Sequence, residues 1–186
     1  KYDSATFYSI SNCQEGLSRV TLGNFLIKRV VFEIQEELPN IKHFGTLSPI
    51  PGFRDWFSYL EDGKIKNILG DVPVENISFL KSPDLKVGDP RIVSNKVAIT
   101  KLVAHYLMNE KDKKKLPIND VCRFHLGNGA IIDDIIINAN VSEVGLNRSF
   151  GVMVNYLYEL KNIEKNHEEY INNKTIIVSD KLKKII

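Results

Sequence analysis

One histidine of this chain has neighbours suited to proton chemistry. His125 lies between Phe124 and Leu126 and precedes a Gly-Asn-Gly turn, whose small residues can leave open space in front of the imidazole. Imidazole gains and loses protons near neutral pH, which makes histidine the most frequent general acid or base. A single histidine among apolar residues is also a common core residue with satisfied hydrogen bonds. The local residues leave both interpretations open.

A serine in the segment TLSPIPGF is a second candidate. Ser48 directly precedes Pro49, and the segment contains no G-x-S-x-G pattern. A nucleophile elbow is therefore not predicted, because that motif needs glycines on both sides of the serine. On local grounds alone, a simple turn residue accounts for Ser48.

Small and polar residues between positions 11 and 23 precede an amphipathic segment. If a helix begins there, its free N–H groups and its dipole favour a phosphate. Cys13 in this loop could have a lowered pKa for the same reason, although a passive thiol is the alternative. Neither a Walker loop nor a dinucleotide fingerprint is present. An ordinary turn between a strand and a helix explains the same residues.

Composition and spacing exclude several classes of protein. The four histidines show no H-x-x-x-H spacing and the two cysteines no C-x-x-C spacing, so no metal site is predicted. With 25 Lys and Arg against 23 Asp and Glu and no basic stripe, nucleic-acid binding is not expected. No apolar run approaches the roughly 18 residues of a membrane span. Cys13 and Cys122 are too few for a disulfide framework and are expected to be reduced.

The first part of the chain reads as strand, loop, helix and strand. Residues 5–10 are aromatic and β-branched and predict a buried strand. From Thr21 onward, apolar residues recur at helical spacing until Pro39, and residues 44–47 predict a second strand. Such a crossover should be right-handed with parallel strands. The segment Ser48–Gly52 should then break the strand sharply.

The rest of the chain is predicted to alternate helices and strands. Residues 61–90 contain repeated Gly and Pro breaks and predict a loop-rich insertion with a weak strand at 77–80. In residues 149–158, every second residue is apolar, which predicts a strand with Phe150, Val152, Val154, Tyr156 and Tyr158 on one face. The other predicted segments are a short helix at 56–60, a helix at 92–108, a charged connector at 109–115, a segment capped by Asn119 through 124, strands at 131–140 and 176–178, and a closing helix at 181–186 capped by Ser179.

Six blocks, in this order, carry a resemblance to a known family. They are FYSISN, GL-x-x-V-x-LGNFLIKRVV, TLSPIPGF, RFHLGNGA, GVMVNYLYEL and NHEEY. Together they resemble the malonyl-CoA decarboxylases, and the resemblance extends from about Thr6 to about Ser179. Residues 61–115 are the divergent middle of the match. Eight-residue blocks such as TLSPIPGF are far more specific than an isolated glycine pattern.

The resemblance implies an α/β (α+β) catalytic domain with the N-acetyltransferase (GNAT) fold, a mixed sheet flanked by helices. It implies that malonyl-CoA is converted to acetyl-CoA and carbon dioxide without a cofactor. The family's catalytic serine and histidine fall on Ser48 and His125, and Tyr158 assists them. The substrate and CoA residues that it implies are Arg19, Val20, Thr21, Leu22, Gly23, Asn24, Phe25 and Asn155. Some members carry an acidic residue where this chain has Thr21, which cannot hold a charge but can still donate a hydrogen bond.

The chemistry of decarboxylation also suits Ser48 and His125 as the catalytic pair. Loss of carbon dioxide leaves an enolate whose charge the thioester carbonyl takes, so one hydroxyl and one imidazole suffice to orient the substrate and return a proton. Ser48 would then orient the substrate and His125 would donate the proton. An acyl-CoA acetyltransferase is the competing enzyme, because it would share the fold and the CoA loop. A CoA-binding remnant without activity is the non-enzymatic alternative.

The resemblance also leads to expectations about domain organisation, assembly and location. The sequence begins with Lys1, and we expect residues 1–186 to be a single partial catalytic domain, with an insertion at about 61–115 and without the family's N-terminal helical domain. A homo-oligomer is expected for the full-length protein. An intracellular location is expected, in which mitochondrial matrix, peroxisome and cytoplasm are not distinguished, although mitochondrion or cytoplasm is favoured.

Overall fold

The described part of the chain folds into one mixed sheet with helices packed on it. The computed structural model describes residues 2–8 and 22–186, with side chains from residue 27 onward in the second range. The strands are β1 Ser4–Phe7, β2 His43–Thr46, β3 Ser48–Pro49, β4 Ile131–Ile136 and β5 Met153–Leu157. The helices are α1 Leu22–Glu37, α2 Phe53–Ser58, α3 Asp62–Leu69, α4 Pro90–Ser94, α5 Lys96–Met108, α6 Asp120–Gly127, α7 Glu143–Ser149, α8 Ile163–Asn173 and α9 Asp180–Lys183, with a 3-10 helix at Val74–Lys81.

β5 is the strand on which the rest of the sheet is built. It pairs antiparallel with β4 on one side and with β2 and β3 on the other. β1 lies outside β2 and runs parallel to it. The predicted parallel β1–α1–β2 crossover is therefore confirmed, and its right-handedness stays a prediction. Because β2 and β3 follow each other along one edge of β5, Gly45, Ser48 and Pro49 all pair with the same strand.

The first predicted strand is shorter and less buried than its composition suggested. β1 covers Ser4–Phe7, and its side chains alternate between exposed and partly buried. Among the described residues, β1 has its only partner strand in β2, so one of its edges carries no pairing. An edge strand needs apolar residues on one face only, and the prediction of a buried strand was wrong for that reason. Residues 9 and 10 lie outside the described ranges.

The prediction for residues 61–90 was wrong in part. This part contains α3 and the 3-10 helix beside non-helical residues at 70–73 and 82–89, and residues 77–80 are helical, not a strand. Ile65 and Leu69 are four residues apart and both buried, which is the spacing of one helix face. Gly70 and Pro73 end and begin these short helices and do not mark an open loop.

The predicted helix at 92–108 is two helices. α4 ends at Ser94 and α5 begins at Lys96, with Asn95 between them. Leu102, Tyr106 and Leu107 are buried as predicted, but Val93 and Val97 are exposed. Because Asn95 separates the two helices, the helical spacing is interrupted, and residues on its two sides need not share one face.

Two predictions about where strands begin and end were wrong. Ser48 and Pro49 do not end the strand but form β3, and the chain turns only at Gly52, with φ 80°. Residues 149–152 precede β5, because α7 ends at Ser149 and Phe150 has left-handed backbone. The predicted buried face of residues 150–158 is confirmed.

The remaining strands and helices agree with the predictions only in part. Residues 176–178 contribute a single bridge between Val178 and Ile132 instead of a strand. The strand predicted at 131–140 ends at Ile136. α7 and α8 were not predicted, whereas the caps at Asn119 and Ser179 are confirmed by side-chain hydrogen bonds to the backbone of α6 and α9.

Candidate active site

Ser48 is positioned by the pairing of β3 with β5. Its partner in the register is Val154, and its side chain is buried on the face of the sheet that carries Thr46. Successive strand residues point to opposite faces, so residues two apart share one. The proline at position 49 is tolerated because β3 is only two residues long and lies at the end of the ladder.

His125 is positioned by a helix that is tied to the segment following Ser48. α6 begins at Asp120, and the side chain of Asn119 caps it by accepting from Cys122 N at 2.8 Å. The same Asn119 donates through Nδ2 to the Pro51 carbonyl at 2.9 Å. Tyr106 donates to that carbonyl as well, at 3.0 Å. The serine segment and the histidine helix are therefore held together at Pro51.

Four side chains form a continuous hydrogen-bonded chain at this point. The Tyr158 hydroxyl lies 2.9 Å from His125 Nδ1, and His125 Nε2 lies 3.0 Å from Ser48 Oγ. Ser48 Oγ in turn lies 2.9 Å from Thr46 Oγ1. We name the four residues Tyr158, His125, Ser48 and Thr46 the relay. Each of its members can both donate and accept while His125 is neutral.

An aromatic ring also packs against the face of the His125 imidazole. Tyr156 stacks on His125 with centroids 4.3 Å apart and planes inclined by 20°. Tyr156 lies in β5 and Tyr158 directly follows it, so one segment supplies both the ring that packs on the imidazole and the hydroxyl that binds it. The rings of Phe124 and His125 pack in a T-shaped arrangement, with their centroids 5.1 Å apart. Such packing leaves the imidazole little rotational freedom.

Burial determines the resting protonation of the relay. Ser48 is 5% exposed, His125 2% and Tyr158 1%. Removal from water disfavours the imidazolium and lowers the pKa of His125 from 6.5 to about 3, so the resting imidazole is neutral. Burial raises the pKa of the Tyr158 and Tyr156 hydroxyls above the usual value. The relay is therefore uncharged near neutral pH and ready to respond to a charged ligand.

The structure brings together the three predicted catalytic residues, Ser48, His125 and Tyr158. Asn155 does not join them: it lies between Val154 and Tyr156 with its side chain on the opposite face, where Nδ2 donates to Asp133 Oδ2 at 3.1 Å. Of the predicted CoA residues, Arg19, Val20 and Thr21 lie outside the described ranges. Residues 22–25 open α1, as the amphipathic pattern predicted, and only their backbone is described.

Two residues around the imidazole were not recognised as site residues from the sequence. Thr46 lies two positions before Ser48, and Tyr156 lies two positions before Tyr158. Strand periodicity was the available signal, because it places each beside a predicted site residue on the same face. The stacking of Tyr156 on His125 and the contact of Thr46 with Ser48 depend on the approach of α6 and β5, which no local pattern indicates.

Within residues 2–8 and 22–186, no group of three or more His, Cys, Asp and Glu side chains is arranged to hold a metal ion. The described helices include none with the length and apolar character that a membrane crossing requires. Cys122 is a free, buried thiol whose pKa burial raises to about 12, which makes it inert as a nucleophile. Cys13 lies outside the described ranges.

Comparisons with known proteins agree on one family. The family model described as the malonyl-CoA decarboxylase C-terminal domain matches residues 1–186. The rat and mouse proteins named mitochondrial malonyl-CoA decarboxylase are each 36% identical to the chain over 201 residues. Each of these alignments covers 98% of this chain and 41% of the relative. The chain thus spans about two fifths of the length of the curated relatives that it matches.

Solved structures give the same result. The crystal structure of malonyl-CoA decarboxylase from Rhodopseudomonas palustris matches with a TM-score of 0.86 and 39% identity, over 98% of this chain and 42% of that one. The Agrobacterium vitis enzyme matches with a TM-score of 0.81 and 36% identity, over 98% and 45% of the two chains. The mixed sheet flanked by helices is thus the GNAT-like fold expected from the sequence. With the family model, the relatives and the solved structures in agreement, this chain belongs to the malonyl-CoA decarboxylase family and matches its C-terminal domain.

Proposed function

We propose that the protein decarboxylates malonyl-CoA to acetyl-CoA and carbon dioxide and that Ser48, His125 and Tyr158 of the relay carry the reaction. The observation that supports this most directly is the hydrogen-bonded sequence Tyr158–His125–Ser48, buried against β5. The relatives that match the chain are named for this activity. Because the chain spans about two fifths of their length, substrate, activity and assembly remain proposals for the whole protein.

The reaction requires the protein to orient the substrate, to stabilise the enolate and to supply one proton. The bond between the carboxylate carbon and the α-carbon breaks, carbon dioxide leaves, and the electron pair passes to the thioester as an enolate. A hydrogen-bond donor near the thioester oxygen stabilises this charge, and a proton then adds to the α-carbon. The net reaction consumes one proton from solvent. Water must be kept from the carbanion until that proton arrives, which suits a buried site.

Ser48 and His125 have separate tasks in this scheme. Ser48 hydrogen-bonds the malonyl group, so that the carboxylate stands out of the plane of the thioester carbonyl. His125 delivers the proton to the α-carbon from Nε2, the nitrogen that lies on the side of Ser48. Tyr158 contacts the other nitrogen and keeps the ring in this orientation. Ser48 is therefore a positioning hydroxyl and not an acyl nucleophile.

The low pKa of His125 requires that the proton arrive with the substrate. The resting imidazole is neutral because burial lowers its pKa to about 3. A malonyl carboxylate that binds in the same buried site brings a negative charge close to the ring, and an opposite charge favours the protonated form. Substrate binding thus draws a proton onto His125, which later passes to the α-carbon. Solvent restores the proton in the next cycle.

The CoA group is proposed to bind where the family resemblance places it. Residues 19–25 include the first turn of α1, whose free N–H groups favour a phosphate. Asn155 is the remaining predicted contact. Its position on the face opposite His125 suits a contact with the CoA arm better than one with the malonyl group.

The test is release of labelled carbon dioxide from carboxyl-labelled malonyl-CoA by the full-length protein and by three variants. Ser48→Ala and His125→Asn should each lose activity by roughly 100-fold or more, in the range of lost general-acid catalysis. CoA binding by both variants should stay within about twofold of the original, because they leave residues 19–25 untouched. Lys113→Ala, in the exposed connector, is the control and should retain full activity. Full activity in His125→Asn contradicts the assignment.

The same assay separates the competing functions. Transfer of an acetyl group from acetyl-CoA to an amine, without gas release from malonyl-CoA, would establish the acetyltransferase. CoA binding with neither activity would establish a binding protein without catalysis.

Assembly and location are proposed from the relatives. We expect the full-length protein to form a homo-oligomer, which light scattering of the purified protein tests. The rat and mouse relatives are named mitochondrial, and we propose the same compartment here. A fluorescent fusion that stays in the cytoplasm would contradict it.

A further inference from the structure

Thr46 forms the end of the relay opposite Tyr158. Its Oγ1 lies 2.9 Å from Ser48 Oγ, and the residue is buried. Thr46 and Ser48 share one face of the strand because they are two residues apart. The decarboxylation scheme above assigns no role to this hydroxyl.

A second contact limits what the Thr46 hydroxyl can do. The backbone N–H of Tyr156 donates to Oγ1 at 3.4 Å. An amide N–H can only donate, so it occupies one acceptor position of Thr46. In the described part of the chain, Ser48 and Tyr156 are the two hydrogen-bond partners of this side chain. The remaining lone pair and the proton of Oγ1 are therefore available to Ser48.

The protonation state of His125 decides the direction of the bond between Ser48 and Thr46. An imidazolium carries a proton on both ring nitrogens and can only donate. When His125 is protonated, Nε2 donates to Ser48 Oγ. Ser48 must then point its own proton away from the imidazole, towards Thr46 Oγ1 in the free protein or towards the malonyl group in the substrate complex, where Thr46 in turn donates to Ser48 Oγ. With a neutral imidazole, the same bond can run in the opposite direction.

We propose that Thr46 is a positioning residue for decarboxylation: in the substrate complex its hydroxyl donates to Ser48 Oγ, while Ser48 donates to the malonyl group and accepts from Nε2–H of protonated His125. This inference rests on the proposed function, in which His125 is the proton donor. Without the Thr46 hydroxyl, Ser48 Oγ loses the partner that fixes its orientation between the malonyl group and the imidazolium. The protonated imidazole is then less well stabilised.

The other titratable groups near the imidazole do not provide this effect. They are the hydroxyls of Tyr156 in β5 and of Tyr158 just after it and, beyond Tyr156, the Cys122 thiol of α6. Burial raises the pKa of all three, so none is charged near neutral pH. Thr46 is thus the group that responds to the change of charge on His125 through Ser48.

The test compares Thr46→Val, which keeps the shape and removes the hydroxyl, with Thr46→Ser, which keeps the hydroxyl. In the full-length protein, Thr46→Val should lower kcat roughly 10- to 100-fold with KM unchanged, as expected for a misplaced reacting group. Since kcat needs protonated His125 in the substrate complex, its fall at high pH should begin about one pH unit lower in Thr46→Val. Thr46→Ser should keep kcat within about threefold and restore the original pH profile.

Several outcomes would overturn the proposal. Wild-type kcat and pH profile in Thr46→Val would do so, as would an equal loss in Thr46→Ser. A purely structural role predicts lower stability of Thr46→Val with an unchanged pH profile per folded molecule. If Thr46→Val does not fold, Thr46→Cys takes its place, because a thiol has a similar size but is a weak hydrogen-bond partner. If the unmodified protein releases no carbon dioxide, the proposed function itself fails, which is a different result from an active protein that is indifferent to Thr46.

Discussion

His125 Nε2 and Ser48 Oγ lie 3.0 Å apart although 77 positions separate the two residues in the chain. β3 delivers the serine, α6 delivers the histidine, and the Pro51 carbonyl receives hydrogen bonds that hold the two elements together. The contact is therefore a property of the sheet and the helix as a unit, and variants that loosen either element should affect catalysis.

Tyr158→Phe should reduce turnover while leaving the ring packing in place. The substitution removes the hydroxyl that lies 2.9 Å from His125 Nδ1 and leaves a buried nitrogen without this partner. We expect kcat to fall roughly 10- to 100-fold, because the imidazole loses its orientation. The measurement is steady-state release of labelled carbon dioxide. Tyr59→Phe, on an exposed tyrosine, is the control, and equal activity of both variants would remove Tyr158 from the site.

Ligand binding should be coupled to proton uptake. The suitable probe is a malonyl-CoA analogue with a sulfonate in place of the carboxylate, which keeps the negative charge but cannot leave as carbon dioxide. At pH 7, its binding should take up a measurable fraction of a proton in the original protein, because the charge raises the pKa of His125 above its resting value of about 3. Calorimetry in two buffers of different ionisation enthalpy measures the uptake. His125→Asn should show none, and equal uptake in both proteins would exclude His125 as the acceptor.

Stability should depend on pH through the buried imidazole. His125 has a pKa near 6.5 when unfolded and about 3 when folded, so the unfolded chain binds the extra proton between these values. The stabilisation is complete above pH 6.5 and is lost as the pH falls towards 3. Between pH 7 and pH 5, the original protein should lose about 2 kcal/mol more of its free energy of unfolding than His125→Asn does. Urea unfolding at both pH values measures it. Equal losses of the free energy of unfolding in the original protein and in His125→Asn would show that His125 is not buried as a neutral ring.

Gly129→Ala should destabilise the turn that follows the histidine helix, whereas Gly127→Ala should not. Gly129 has φ +80°, and an added Cβ would lie 2.1 Å from the Ile163 carbonyl oxygen of α8. Gly127 has no atom within 4 Å of such a Cβ. We expect a loss of about 2–5 kcal/mol for the first variant, from backbone strain and overpacking, and little change for the second. Thermal unfolding of the pair checks this, and similar midpoints would contradict the packing of α6 against α8.

The sequence by itself determined the family, the candidate catalytic pair and some of the local elements. The blocks TLSPIPGF and RFHLGNGA identified Ser48 and His125, and helical spacing located α1, because these signals are local in the chain. Alternation along residues 150–158 also predicted the buried face of β5, since a strand repeats every two residues.

Tertiary structure decided everything that depends on how these elements meet. β1 proved to be an edge strand, and parts of residues 61–90 became short helices, because burial by distant neighbours outweighs local breaks. The neutral state of His125 likewise follows from the surroundings that α6, β3 and β5 create together, not from its neighbours in the chain. Tyr156 joined the site for the same reason, because its stacking on His125 exists only once α6 packs on the sheet. Thr46 joined it through its hydrogen bond to Ser48, beside the pairing of β2 and β3 with β5.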